Sequence, residues 1–187
     1  MTHDPEEKAP FFAGAQARRL ALLCGCAILL AGLALNMRVL GFGFLYLRDD
    51  DINVALNPHM GSLGAARIGW MFSDLSYVRR YIPLGWLNFS ATYEFGGLDP
   101  SAYHAVGLVL YAANCCLLFA VLLQLLRLFG GGAAAGLGAW ETAAAALAAA
   151  WWAAHPLRVE TTAWVSGNLY GQSVLLLLAA MAAYLRT

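Results

Sequence analysis

Along the chain, long apolar runs alternate with two stretches that mix charged, polar and aromatic residues. The first apolar run covers residues 20–37, where Arg38 interrupts it. A membrane-spanning helix needs about 20 predominantly apolar residues, and this run is long enough to be read as one. A second run covers 103–129, a third, alanine-rich run covers 140–154, and a fourth covers 169–185. The glycine- and alanine-rich stretch 130–138 reads as a connector between the second and third. The pattern predicts an all-α integral membrane protein with about four transmembrane helices. A cleaved signal peptide is the competing reading of the first run, with Gly32-Leu33-Ala34 as a small-residue cleavage site. The further spans behind it favour a multi-pass chain.

Between the first and second runs lies a long stretch, 48–102, in which helical spacing predicts two short elements. One covers 63–74, with Leu63, Ala66, Trp70 and Met71 at helical spacing. The other covers 83–95 and opens on Pro83, a residue suited to the first helical turn. Trp70, Trp86, Phe89 and Tyr93 suit the headgroup zone of a bilayer, so both are expected to be interfacial. The stretch 155–168 is a second, shorter polar-aromatic loop. Four spans put this loop and 48–102 on one side and both termini on the other. Lys8, Arg18, Arg19, Arg127 and Arg186 flank the spans on the terminal side, whereas Arg48, Arg67, Arg79, Arg80 and Arg158 are spread over longer loops. That bias places the N-terminal tail, 1–19, in the cytoplasm and the large first loop in a periplasm or lumen.

Composition strengthens the membrane reading. The 187 residues are 61% hydrophobic and 12% charged, against about 25% charged in an ordinary soluble domain. A net charge of zero leaves no basic field for nucleic acid. Cys24, Cys26, Cys115 and Cys116 lie inside apolar runs without zinc-like spacing, and read as small packing residues.

Four groups of residues carry candidate chemistry. Asp49, Asp50 and Asp51 follow directly on an apolar run. Adjacent carboxylates near a low-dielectric boundary suit a general base or a cation ligand; a solvated loop edge that merely stops the helix explains them equally well. Arg79 and Arg80 can hold a phosphate through paired guanidinium donors, or anchor to anionic lipid headgroups. His104 sits just inside the second span, where an ionisable side chain is either functional or a hydrogen-bonded interfacial residue. His155 and Glu160 are expected to face the outer side, with Glu160 and Trp164 four apart on one helical face. Their plainer role is to solvate a turn.

The order of these motifs resembles a family. An acidic pair is followed by Asn57-Pro58, Tyr81-Ile82-Pro83-Leu84, Gly97-Leu98-Asp99-Pro100, Tyr103-His104, His155-Pro156-Leu157-Arg158-Val159-Glu160 and Ala163-Trp164-Val165-Ser166. This set looks like the N-terminal part of GT-C-type polytopic membrane glycosyltransferases. Within them it is similar to bacterial tetratricopeptide-repeat membrane proteins and the transmembrane-and-tetratricopeptide O-mannosyltransferases. It covers roughly residues 48–186. The resemblance implies a GT-C-like membrane domain over 20–187, incomplete in this stretch of chain. It implies a polyprenyl-phosphate-linked sugar donor, a protein or glycan acceptor hydroxyl and inversion at the anomeric carbon, on the outer face of a bacterial inner membrane. Asp49, Asp50 or Asp51 is then the base, Arg79 and Arg80 hold the donor phosphate, and His104, His155, Glu160 and Trp164 lie on the acceptor side or serve structure. No cofactor is obligatory, and a divalent cation, where one is used, falls to Asp50 and Asp51.

The chain departs from that pattern at Gly107 and Tyr111, where relatives carry Asn and His. It departs again at Ser166-Gly167-Asn168, where relatives carry an Arg and an acid. No 34-residue repeat is present. A non-catalytic anchor or truncated remnant of the same fold is therefore the alternative. A small transporter, resting on Asn114 and Gln124 alone, ranks last.

Overall fold

The computed structural model describes residues 10–129 and 136–186. Residues 1–9 of the expected cytoplasmic tail, Lys8 among them, and residues 130–135 of the connector lie outside the described residues. All regular elements among those described are helical. Helix α1 covers Ala15–Asn36 and runs on as a 3-10 turn, Met37–Gly41. A π-helical turn follows at Asp51–Ala55. Helix α2 is Ala65–Ser73, a 3-10 turn is Tyr77–Arg79, and α3 is Pro83–Gly96. Then come α4, Pro100–Phe129; α5, Ala139–Ala154; α6, Leu157–Ala163; a 3-10 turn at Val165–Gly167; and α7, Asn168–Tyr184.

Among the described residues, three segments are long and apolar enough to cross a membrane: Ala15–Gly41, Pro100–Phe129 and Val165–Tyr184. The expected fourth span is too short. Helix α5 has 16 residues, which at 1.5 Å per residue reach about 24 Å, below the roughly 30 Å of a hydrocarbon core. With three such helices, the placement of both loops on one side no longer follows from counting. The start of α1 also differs: Ala15, Gln16, Ala17, Arg18 and Arg19 are all good helix formers, so the helix takes in the last residues of the predicted tail. The loop 155–168 is more ordered than its composition suggested, because Pro156 opens α6.

The described residues form two compact units. The first takes in the residues up to Ala34, Ala112–His155, and those from Leu175 onward. Its α5 starts where the Glu141 carboxylate accepts the Gly138 amide at 3.0 Å and the Thr142 hydroxyl donates to the Gly138 carbonyl. Thr142, Ala145, Ala149 and Ala153 are buried along one face of α5, the small-residue stripe that allows close helix approach. Leu137 is fully buried and exchanges backbone hydrogen bonds with Phe11 and Ala13, while Arg127 lies over the Phe11 ring.

The second unit comprises Leu35–Tyr111 and Pro156–Val174. Its core is Val54, Met71, Trp86, Phe89, Tyr103 and Val165. Rings touch in series from His59 through Trp70, Tyr77, Trp86 and Phe89 to Tyr103 and Phe44. The residues expected at the headgroup zone therefore divide: Trp86 and Phe89 are buried core, and Trp70 packs against it. Helix α3 ends at Gly97, whose φ of +57° favours glycine, and the Tyr103 hydroxyl donates to the Gly97 carbonyl. Helix α7 is tied to α3 through Gln172, which accepts from the Asn88 amide and donates to the Leu84 carbonyl.

Phe89 has no exposed surface and packs among Trp86 and Tyr103. Replacing it with alanine removes a buried ring and leaves a cavity. Phe89→Ala is expected to lower stability by about 3–5 kcal/mol, measured by denaturant unfolding of the purified chain in detergent.

Candidate functional site

The three adjacent acids stand in three different environments, set by the backbone around them. The chain passes through Leu47 at φ +64° and Asp49 at φ +73° before entering the π-helical turn. The left-handed region is tolerated by aspartate better than by leucine, so this turn is strained unless its amides are held. The next two carboxylates hold them. Asp50 Oδ2 accepts the Leu45 amide at 2.8 Å, and Asp51 accepts the Leu47 and Ile52 amides at 3.2 and 3.0 Å.

Asp50 is fully buried. Its Oδ1 accepts both the backbone amide and the hydroxyl of Ser166, at 2.8 and 2.7 Å. A buried carboxylate costs free energy unless it is closely hydrogen-bonded, and these donors meet that need. Asn53, one turn on, is also fully buried and donates its amide to the Ser166 hydroxyl oxygen at 3.0 Å. Asn57 donates to the Asn53 carbonyl and accepts the His59 amide, which turns the chain at Asn57-Pro58. Trp164, at the end of α6, donates its indole N–H to the Arg48 carbonyl at 2.6 Å.

Asp49, like Asp51, stays partly exposed. It is 31% exposed and pairs with the Arg80 guanidinium at 3.0 Å. Arg80 is presented by a second strained turn, where Val78 and Arg79 have φ +45° and +54°. Leu47, Asp49, Val78 and Arg79 are the non-glycine residues at positive φ among those described, and all four lie on the two turns that this ion pair joins. Such strain persists only where the surroundings over-determine it, and it concentrates at functional sites. Here the surroundings are visible. Asp74 accepts the Ser76 hydroxyl and the Tyr77 amide, and the Tyr77 hydroxyl donates to the Ile52 carbonyl at 2.7 Å. The Ser76 hydroxyl, with the Tyr77 amide, holds the Asp74 carboxyl below its ordinary range. Burial pushes the Tyr77 phenol up. His59 stacks on Trp70 with ring centroids 4.1 Å apart and meets Tyr77 edge-on.

The structure gathers Asp49, Asp50, Asp51, Arg80 and Trp164 into this region. Arg79 adjoins it, with an exposed side chain. It departs from expectation elsewhere. Trp164 does not share a helical face with Glu160, because α6 ends at Ala163 and Trp164 is extended, its amide donating to the Glu160 carbonyl. Glu160 is exposed on α6. His155 belongs to the first unit, where it meets Trp151 edge-on. His104 is buried near the start of α4 beside Phe42. The donors on Asp50 and Asp51 also bear on a cation: N–H and O–H groups already occupy both oxygens of each carboxylate, and that arrangement does not suit a metal ligand pair. Among the described residues no group of three His, Cys, Asp or Glu side chains is arranged to hold a metal ion.

Sequence reasoning passed over Ser166, Asn53 and Tyr77 as site residues. Ser166 lies 116 positions from Asp50, a separation that no local periodicity reports. Comparison of the chain with protein-family models, with curated proteins and with solved structures finds no match.

Two expectations follow from the geometry. Asp50→Ala strands the two buried Ser166 donors and is expected to cost about 3 kcal/mol or more. Asp49→Asn, which keeps a residue that tolerates positive φ, removes only an exposed ion pair, worth about 0–1 kcal/mol; parallel denaturant unfolding of the two variants checks the contrast. The depressed Asp74 carboxyl gives a pH dependence with a definite sign. Its contribution to the Ser76–Tyr77 turn is complete above the ordinary value of 3.8 and is lost as pH falls through the lower folded value. The Tyr77 amide resonance followed by NMR is expected to move in a transition whose midpoint lies below the ordinary carboxylate value, and Asp74→Asn is expected to remove that transition.

Proposed function

We propose that the chain is a membrane module of a GT-C-type glycosyltransferase, transferring a sugar from a polyprenyl-phosphate-linked donor to an acceptor hydroxyl. The observation that carries the reading is the Asp49–Arg80 pair: a reachable carboxylate and a guanidinium, 3.0 Å apart, joining two strained turns beside long apolar helices. The motif order from Asn57 to Ser166 supports the family. The proposed setting is the outer face of a bacterial inner membrane, with the N-terminus cytoplasmic.

In this mechanism Asp49 is the general base. An exposed ion pair contributes little to stability, about 0–1 kcal/mol, so Arg80 can leave Asp49 for the donor phosphate at small cost. Asp49 then takes the proton of the acceptor hydroxyl. The acceptor oxygen forms a bond to the anomeric carbon while the bond from that carbon to the phosphate oxygen breaks, with inversion. Arg80 and the exposed Arg79 balance the charge left on the phosphate. Asp50 and Asp51 shape the turn and take no proton.

A non-catalytic membrane anchor built on the same scaffold is the second reading. It is favoured by Asn168, which stands where relatives carry functional side chains and which donates its amide to the Tyr103 carbonyl at 2.9 Å. Gly107 makes room for that bond, since a Cβ there would lie 2.5 Å from the Asn168 carbonyl oxygen.

Transfer of labelled sugar from polyprenyl phosphate by membranes containing the chain decides between them. Loss of a general base lowers a rate by roughly 10²–10⁴-fold, and Asp49→Asn is expected to do so at an unchanged protein level, because asparagine also tolerates positive φ. Undiminished transfer by that variant overturns the assignment of the base. No transfer above membranes lacking the gene favours the anchor.

A further inference from the structure

Besides its own bonds to Arg80 and to the Asn53 amide, Asp49 is held through both of its neighbours. Arg48, just before it, offers its carbonyl to the Trp164 indole; Asp50, just after it, takes two donors from Ser166. Both flanks of Asp49 are therefore pinned by one three-residue segment. That segment is itself firmly seated. Val165 is fully buried in the second unit's core, and Ser166 and Gly167 are buried with it. Gly167 packs so closely on α6 that an added Cβ would stand 3.1–3.3 Å from Thr161 and Glu160 backbone atoms. The next residue, Asn168, begins α7.

We infer that Trp164 and Ser166 form a latch that positions Asp49, with Ser166 the dominant member. Neither is a catalytic residue. The Ser166 hydroxyl has a double role: it donates to Asp50 and accepts from Asn53. Removing it leaves Asp50 one donor short and Asn53 without an acceptor for its amide, in a place from which water is excluded. The amide and hydroxyl act together, so the turn through Leu47 and Asp49 keeps its shape only while the latch is closed. As a statement about activity the inference rests on Asp49 being the base; as a statement about the turn it stands by itself.

The test uses the full chain in nanodiscs with Ser166→Ala, Ser166→Thr and Trp164→Phe, reading hydrogen exchange at amides 45–53 and sugar transfer per folded protein. A hydrogen bond to a charged group is strong enough for its loss to change an opening equilibrium about tenfold or more. Ser166→Ala is expected to speed exchange at 45–53 by about tenfold, and to lower kcat with KM unchanged. Ser166→Thr, which keeps a hydroxyl, restores both. Trp164→Phe, which keeps a ring beside Tyr170 but loses the indole donor, speeds exchange at the same amides. A core variant, Phe89→Leu, sets the effect of general loosening and leaves kcat per folded protein unchanged. Exchange at wild-type rates in Ser166→Ala overturns the latch, as does failure of threonine to restore it. If Ser166→Ala does not fold, Trp164→Phe decides: unchanged exchange overturns the latch. Faster exchange in a chain whose wild type transfers no sugar keeps the latch and removes only the transferase reading.

Discussion

A carboxylate without contact to water is tolerable only where donors surround it, and Asp50 is such a group. One donor is local: the Leu45 amide, five residues earlier, closes the turn back on itself. The others come from Ser166, 116 residues later. Each bond to an ionised acceptor is worth about 1.5–3 kcal/mol, more than a neutral one, and separation leaves the charge stranded. The chain between them forms α2 to α6, but its two ends stay joined. Asp49, the Asp49–Arg80 pair and the indole bond of Trp164 all depend on that junction.

The aromatic core does the corresponding work for the basic side. Tyr77 packs against Trp86 and Trp70, and its hydroxyl reaches the Ile52 carbonyl inside the π-helical turn. It therefore couples the turn carrying Arg79 and Arg80 to the turn carrying the acids. Five-residue π-turns recur at functional sites, and this one places Asn53 against Ser166 and Ile52 against Tyr77 within a single turn. Rings stack well beyond the contacts of any one helix, so the loop behaves as a packed unit rather than as a linker between spans.

Much of the fold was legible from local pattern. The first, second and last apolar runs became long helices, and both short helices of the first loop formed within about two residues of their predicted bounds, because each rests on periodicity and on punctuation such as Pro83 and Gly97. The alanine-rich run was legible as a helix but not as a span, since its apolar length decides that question and Pro156 ends it early. Residues of the candidate site were legible where charge stands out, as at Asp49–Asp51 and Arg79-Arg80. They were not legible where the partner is an ordinary serine, asparagine or tyrosine whose role comes from a contact more than twenty positions away. The pairing of Glu160 with Trp164 failed for a different reason: spacing of four places residues on one face only while the helix continues, and α6 stops between them.

The division of labour among the three acids follows from desolvation. Three ionised carboxylates in sequence repel one another, and a site that needed all three at once would hold them together against that repulsion. Here each meets different donors. Asp50 is compensated by backbone and hydroxyl dipoles and Asp51 by two backbone amides, while only Asp49 meets a full opposite charge. Fixed dipoles cannot leave, because they belong to the backbone or to a seated serine. A guanidinium on a flexible stem can. Asp49 and Asp51 are both partly exposed, but only Asp49 has a partner that is able to move, and this asymmetry singles it out from an otherwise uniform run.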